Sequence, residues 1–174
     1  MATVAEGYLE ASDTLNRKTE NFGQSAVLLR TIGFEILLKA TYLIDQGKEP
    51  KFSHDYEKGF YKLSERTRSF VIEKGMTRYF FKSVDHSEQF PDLFDEVILK
   101  DILKDFSRNF LDGRYEYEAQ KGLSDVEVSE KENKWIESSC PDNEAEFRFY
   151  PEEMKALCFG LQSWIENQSS LDDV

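Results

Sequence analysis

Three charged side chains, Arg30, Glu35 and Lys39, stand within a run of residues that is otherwise almost entirely apolar. A charge in such a run is costly to bury unless it is paired. Glu35 and Lys39 are four residues apart with the acidic residue first, which is the favourable order for an ion pair on a helix. The spacing therefore predicts either a salt bridge at the rim of a core or a functional cluster of polar groups.

A second group of chemically capable residues is the stretch at 48–82, which holds nine basic and five acidic residues. Eight aromatic residues are interleaved with these charges: Phe52, Tyr56, Phe60, Tyr61, Phe70, Tyr79, Phe80 and Phe81. Basic side chains can hold a phosphate backbone while aromatic rings stack on bases. The same composition is also typical of the solvated faces and core residues of ordinary helices. Both interpretations stay open at this point.

The elements that must position these groups are helices. Residues 21–47 predict a long central helix, because apolar residues recur at steps of three and four: Leu29, Ile32, Ile36, Ala40 and Leu43. Other apolar residues fill most of the remaining circumference, so this helix should be surrounded by its neighbours. Asn21 with Gln24 predicts an N-terminal cap, and Gly47 predicts a left-handed C-terminus.

Periodicity predicts five further helices, at residues 2–18, 54–67, 68–81, 91–112 and 151–168. The first should bury Val4, Tyr8, Leu9, Ala11 and Leu15. Ser53 or His54 should cap the helix at 54–67, Gly75 should weaken the next one, and Gly113 should bend or interrupt the chain after 112. Pro91 and Pro151 suit the first positions of the last two helices. The fold class is therefore an all-α, antiparallel up-down bundle of five to six helices.

Residues 119–147 lose this periodicity and concentrate acidic side chains: Asp125, Glu127, Glu130, Glu132, Glu137, Asp142, Glu144 and Glu146. An irregular segment of this length inside a domain is usually functional or mobile. Val126, Val128, Trp135 and Ile136 indicate that part of it docks or forms a short hairpin. We therefore expect one domain over residues 1–174 with an acidic, irregular excursion.

Composition limits the class of function. The net charge of -12 argues against a protein that coats long nucleic acid, although residues 1–82 carry a net charge of +2 and residues 83–174 a net charge of -14. Two cysteines and two histidines provide neither a disulfide framework nor a zinc site, so we expect no metal and no cofactor. The absence of a signal-like start and of a long apolar run predicts a cytoplasmic protein without membrane insertion.

The central residues 28–47, followed after a short loop by HDYEKGFYKL at 54–63, resemble the HEPN domain. The second helix of that family carries an E-x-x-x-K pattern, matched here by Glu35 and Lys39, and its third helix begins at a His-Asp pair, matched by His54 and Asp55. The resemblance covers roughly residues 1–118. It implies an antiparallel helical bundle, usually a homodimer, with a history of RNA cleavage, toxin action or nucleotide binding.

Catalytic members of that family carry an arginine, a polar residue and a histidine four to six positions further on, near the dimer seam. The arginine holds the scissile phosphate, and the histidine shuttles a proton for attack by the ribose 2′-hydroxyl. Arg108 and Asn109 match the opening of this motif. The possible places of the histidine are occupied by Gly113, Arg114 and Tyr115, and neither arginine nor tyrosine is a good proton shuttle at neutral pH.

Two classes of function follow from the resemblance. One is a binding or interaction module in a defence, toxin-antitoxin or RNA-associated setting, in which Arg108, Asn109, Arg114 and the stretch at 48–82 hold RNA, a nucleotide or a small protein partner. Glu35, Lys39 and His54 are further candidate ligand-binding residues. The other is a metal-independent ribonuclease in which Arg108 anchors the phosphate and Tyr115 or His54 replaces the missing proton shuttle. The missing histidine favours binding without catalysis.

A more ordinary role is also open to the two arginines. A guanidinium group offers a planar fork of donors that fits a phosphate and equally fits a carboxylate. Arg108 and Arg114 could therefore pair with acidic neighbours on their own helix or just beyond it: Asp105, Asp112, Glu116 or Glu118.

Overall fold

The computed structural model describes residues 1–18, 23–83, 96–114, 124–138 and 150–172. The helices in these ranges are α1 (Ala2–Lys18), α2 (Gly23–Gln46), α3 (Tyr56–Tyr61), α4 (Glu65–Ser83), α5 (Glu96–Arg114), α6 (Asp125–Glu137) and α7 (Pro151–Asp172). No strand occurs in this part of the chain, so the predicted all-α class is confirmed. None of the described helices is both long and apolar enough to cross a membrane.

Helix α2 is central, as predicted, since it contacts α1, α3, α5 and α7. Its Phe34 ring packs edge-on against Tyr56 and Phe106, with ring centroids 5.4 and 5.7 Å apart, which is a favourable aromatic geometry. Gly47 ends the helix with a φ of +62°, as predicted, and its N–H donates to the carbonyl of Leu43 at 2.9 Å. The predicted cap residue Asn21 lies outside the described residues.

The predicted inward face of α1 was wrong only in part, because Leu9 packs against the core as expected whereas Val4 and Ala11 do not. Val4 is 57% exposed, whereas Ala5 and Ser12 are fully buried. The reason lies on α2, where Gly33 has no side chain: a Cβ there would lie 2.8 Å from the Leu9 side chain and 3.3 Å from the carbonyl oxygen of Ala5. Because the helices approach so closely, the face of α1 that carries Ala5 and Leu9 lies against α2.

The predicted helix at 54–67 is interrupted, and the predicted helix at 68–81 begins earlier. Helix α3 ends at Tyr61, and α4 starts at Glu65. The turn between them is held from α2 by Asp45, whose carboxylate accepts hydrogen bonds from Ser64 N and Ser64 Oγ, both at 2.7 Å, and from Thr67 Oγ1. Ser64 Oγ in turn accepts from Thr67 N at 3.3 Å and caps α4.

Helix α4 continues through Gly75, which was predicted to weaken it, and Gly75 allows α4 to pack closely on α7. A Cβ at Gly75 would lie 2.9 Å from the carbonyl oxygen of Ala156, and a Cβ at Gly160 would overlap the carbonyl oxygen of Val71. The later residue of α4, Gly75, faces the earlier residue of α7, Ala156, while Val71 faces Gly160. The two helices are therefore antiparallel. Helix α7 begins at Pro151 as predicted and buries the residues expected for it: Met154, Leu157, Leu161, Trp164 and Ile165.

The predicted irregular chain at 119–147 was wrong for residues 125–137, which form α6 and no hairpin. Ser124 and Glu127 make a capping box: Glu127 N donates to Ser124 Oγ at 3.3 Å, and Ser124 N donates to Glu127 Oε2 at 2.7 Å. Gly113 does not interrupt α5, which continues to Arg114. Pro91 lies outside the described residues.

Candidate functional site

A half-buried carboxylate, Glu35, gathers three polar side chains where α2, α3 and α5 meet. Its Oε1 accepts a hydrogen bond from Lys39 Nζ at 2.6 Å. Its Oε2 lies 2.7 Å from His54 Nδ1 and accepts from the hydroxyl of Tyr56 at 2.9 Å. The predicted i,i+4 salt bridge is therefore present and extends into a four-residue group, which we call the Glu35 cluster: Glu35, Lys39, His54 and Tyr56.

The start of α3 is fixed so that His54 and Tyr56 both reach Glu35. The cap of α3 is Asp55, which accepts from Lys58 N at 3.0 Å, so the prediction of Ser53 or His54 as the cap was wrong. The backbone N–H of Tyr56 donates to Ser107 Oγ on α5 at 3.0 Å. With Asp55 as the cap, the side chain of His54 is left for Glu35.

The imidazole of His54 lies on the ring of Phe110, with ring centroids 4.3 Å apart and planes inclined by 31°. Phe110 is buried, whereas the side chain of His54 is 30% exposed. Glu35 engages Nδ1, which leaves Nε2 of the same ring for another partner. A carboxylate that holds one nitrogen of an imidazole fixes the ring orientation, which is what binding or proton transfer through the other nitrogen requires.

The charge of Glu35 is stabilised by its neighbours. Burial acts to raise the pKa of this carboxyl, but hydrogen bonds from Lys39, His54 and Tyr56 outweigh burial and hold the pKa below its usual value. Burial, together with the negative charge of Glu35, raises the pKa of Tyr56. Tyr56 therefore stays protonated and acts as a fixed hydrogen-bond donor to the carboxylate.

Two of the predicted site residues on α5, Arg108 and Asn109, point in different directions. Arg108 is exposed and Asn109 is buried, as expected for successive helical residues, which point about 100° apart. The two residues therefore do not face one ligand together. Arg114, the last residue of α5, lies one turn beyond Phe110 along the helix. Tyr115 lies outside the described residues.

Arg108 makes no ion pair with the part of the chain that the structure describes. The alternative partner Asp105 instead accepts a hydrogen bond from the hydroxyl of Tyr150 at 3.2 Å. Glu116 and Glu118 lie outside the described residues. Arg108 is thus a solvated guanidinium group on the helix that supports the Glu35 cluster.

The basic, aromatic stretch divides into two parts. Phe52, Tyr56 and Phe60 are buried core residues, so their rings are not free to stack on bases. The lysines are outside the core: Lys48, Lys51 and Lys62 are exposed and line, with Tyr42, a surface depression of about 530 Å³. This part of the chain therefore offers positive charge, while three of its eight rings are unavailable for stacking. The side chains of Tyr79, Phe80 and Phe81 lie outside the part that the structure describes.

Sequence reasoning missed three residues of the site: Tyr56, Ser107 and Phe110. Tyr56 entered the sequence analysis only as a ring that stacks on bases or lies in a core, and Phe110 only as part of the predicted helix at 91–112. Ser107 had no local signal at all, because its partner is the backbone of a residue 51 positions away. Only the packing of α3 against α5 brings these groups to Glu35.

Within the described ranges, no group of three or more His, Cys, Asp or Glu side chains could hold a metal ion. The fold and the site together define an all-α helical bundle with a half-buried Glu-Lys-His-Tyr cluster. Comparison of the chain with family models, with curated proteins and with solved structures finds no match. The resemblance to HEPN domains accordingly rests on the residues of this sequence alone.

Proposed function

We propose that this chain is a HEPN-like binding module that holds a phosphate-bearing ligand, a nucleotide or a short RNA, beside the Glu35 cluster. The proposal rests on one observation: the residues of the two sequence patterns that resemble HEPN domains contact each other in the structure. Glu35 and Lys39 come from the E-x-x-x-K pattern of α2, His54 comes from the His-Asp pair before α3, and hydrogen bonds join them into one cluster.

Helix α5 supplies the proposed phosphate-binding groups. Arg108 is exposed and without an ion-pair partner among the described residues, and Arg114 follows Phe110 by one turn. A guanidinium group binds phosphate through two parallel donors. The net charge of -12 opposes the approach of a long polyanion, so a nucleotide-sized or short ligand fits better than long RNA. A defence or toxin-antitoxin setting suits such a module.

The test is binding of a fluorescently labelled, short single-stranded RNA, followed by anisotropy at several salt concentrations, with ATP as competitor. Each phosphate contact contributes about 0.7 to the slope of log K against log salt for a single strand. We expect Arg108→Ala and Arg114→Ala each to weaken binding and to lower the slope by about that amount. Arg17→Ala, at an exposed arginine of α1, is the matched control and should leave both quantities unchanged. Absence of salt-sensitive binding to either probe would exclude the proposal.

A second candidate function, a metal-independent endoribonuclease, is favoured by the position of His54. The fold brings His54 onto Phe110, which lies 56 positions later in the chain and two residues after Arg108. In this mechanism Glu35 orients His54 through Nδ1, and Nε2 exchanges a proton with the ribose 2′-hydroxyl while an arginine holds the phosphate. His54 would then replace the histidine that the α5 motif lacks.

The two functions are separated by incubating the protein with single-stranded RNA in EDTA and analysing the products for 2′,3′-cyclic phosphate ends. For a binding module we expect intact RNA. For a ribonuclease, His54→Gln should reduce the cleavage rate about a hundred- to ten-thousandfold, because a positioned acid or base contributes that much. The substituted glutamine could still hydrogen-bond Glu35, so a thermal melt of the variant separates lost chemistry from lost folding. Cleavage that persists in both His54→Gln and Arg108→Ala would indicate a contaminating nuclease.

A further inference from the structure

A cavity of about 200 Å³ opens between α1, α2, α4 and α7, away from the Glu35 cluster, with which it shares no residue. Cavities that accept drug-sized ligands start at about 300 Å³. A nucleotide is therefore too large for this cavity, whereas a metabolite of about ten non-hydrogen atoms is not. The cavity is thus a separate feature from the proposed phosphate site.

Three helices place basic groups around the cavity. Arg30 of α2 is 3% exposed, donates from Nε to Ser12 Oγ at 3.2 Å and pairs with Asp13. Arg78 of α4 lies over the ring of Phe159, with the guanidinium carbon 5.0 Å from the ring centroid. Lys155 of α7 completes this set. Arg30 and Arg78 line the same cavity, and guanidinium groups held in fixed orientations are good receptors for a carboxylate.

The acidic residues of the lining come entirely from α1, which contributes Glu6, Glu10 and Asp13. Asp13 already binds Arg30. Glu6 and Glu10 are exposed and make no ion pair with any residue that the structure describes, and the same is true of Arg78. The lining thus has unpaired negative charge from α1 and unpaired positive charge from α4.

The remaining lining is largely apolar. Leu9 and Phe159 contribute side chains, and Cys158 contributes a buried thiol. Burial raises the pKa of that thiol to about 12, so it is neutral and acts as a small apolar surface. The cavity therefore offers an apolar surface together with groups of both charges.

We propose that this cavity binds a small zwitterion of the size of a free amino acid. Its carboxylate lies against Arg30 and Arg78, its ammonium group lies against Glu6 and Glu10, and its side chain packs on Leu9 and Phe159. A ligand with only one charge leaves the acidic or the basic groups unmatched and loses their bonds.

The test begins with the thermal stability of the full chain in each of the twenty free amino acids at about 10 mM, because a ligand that binds only the folded state raises the melting temperature. We expect one or a few of them to raise it. The best ligand is then compared, by calorimetric titration, with its amide, which lacks the carboxylate, and with its N-acetyl derivative, which lacks the ammonium group. Each derivative should bind roughly tenfold more weakly or worse, since bonds to charged groups carry that much affinity.

Variants assign the two sets of charged groups. Arg78→Gln should weaken binding of the amino acid while leaving the affinity for its amide nearly unchanged. Glu10→Gln should also weaken binding of the amino acid, but it should leave the affinity for the N-acetyl derivative nearly unchanged. Arg66→Gln, at an exposed arginine near the other end of α4, is the control. The proposal is overturned if no amino acid raises the melting temperature, or if the N-acetyl derivative binds as tightly as the parent, which would make the cavity an anion site.

Discussion

At the scale of single residues, Glu35 links polar side chains from three segments of the chain. The side chain of Glu35 is 12% exposed. Its carboxylate is hydrogen-bonded to a lysine of its own helix, a histidine of the following loop and a tyrosine of α3. A buried charge is costly unless it is paired, and here the pairing links three segments of the chain. The cluster therefore holds the proposed site together as well as forming part of it.

The lowered pKa of Glu35 makes a prediction about pH. The folded-state pKa lies below that of the unfolded chain, so the carboxylate stabilises the fold above about pH 4.5, and this stabilisation is lost as the pH falls through the folded-state pKa. Glu35→Gln should lower the free energy of unfolding at pH 7 by about 1 to 3 kcal/mol and by less at about pH 3. Urea titrations at the two pH values measure this difference.

Two comparisons control that measurement. Asp45 also has a lowered pKa, because hydrogen bonds from Thr67, Ser64 and Gln46 outweigh the effect of its burial, so the Glu35→Gln variant keeps part of the pH dependence. Glu49→Gln changes an exposed carboxylate of the loop before α3 and should leave the curves unchanged. An equal loss of stability in Glu35→Gln at both pH values would contradict the assignment of a lowered pKa.

At the scale of elements, glycines decide how closely the helices approach. Gly33 admits α1 onto α2, and Gly75 and Gly160 admit α4 and α7 onto each other. In each pair a backbone carbonyl or a side chain of the partner helix occupies the space that a Cβ would need. Contacts to a backbone carbonyl are rigid, because the carbonyl cannot move aside as the end of a flexible side chain can.

Two glycine-to-alanine substitutions test this packing with opposite expected signs. Gly160→Ala should destabilise the fold by about 1 to 3 kcal/mol or more, since the added methyl group would overlap the carbonyl oxygen of Val71. Gly7→Ala, in α1, meets nothing within 4 Å and should stabilise the fold by about 0.5 to 1 kcal/mol, because alanine is the better helix former. Denaturation midpoints of the two variants provide the comparison, and a neutral Gly160→Ala would argue against the close α4–α7 contact.

At the scale of the whole molecule, charge and exposed apolar groups bear on association. The two halves of the chain differ in net charge, +2 for residues 1–82 and -14 for residues 83–174. Helix α5, which holds the proposed phosphate-binding arginines, also exposes Val97 and Ile98 near its start. The net charge of -12 on each copy opposes self-association, so the exposed apolar pair on α5 is the feature that favours it.

We therefore propose that the chain is a homodimer, as the HEPN resemblance also implies. Light scattering at micromolar concentration should give about twice the 20.3 kDa of one chain. Val97→Glu, which adds a charge to the apolar start of α5, should shift the equilibrium toward the monomer if α5 lies at the seam. A wild-type mass of one chain would exclude the dimer, and a dimer that Val97→Glu leaves intact would place the seam elsewhere.

The sequence by itself determined the features that depend on neighbours within one or two helical turns. Apolar periodicity predicted the all-α class and the central position of α2, Gly47 and Pro151 marked two helix ends, and the i,i+4 spacing of Glu35 and Lys39 predicted their salt bridge. The capping box of Ser124 and Glu127 was equally local, and attention to it would have predicted α6 within the acidic segment. These signals are readable because both partners lie within a few residues of each other.

Only the tertiary structure decided the features whose partners are far apart in the chain. Asp45 of α2 interrupts the predicted helix at 54–67, Gly33 selects the inward face of α1, and Ser107 with Phe110 holds the His54 segment on α5. In each case an ordinary local pattern permits several outcomes that differ little in free energy. The choice among them is made by hydrogen bonds and close packing between segments that meet only once the bundle has formed.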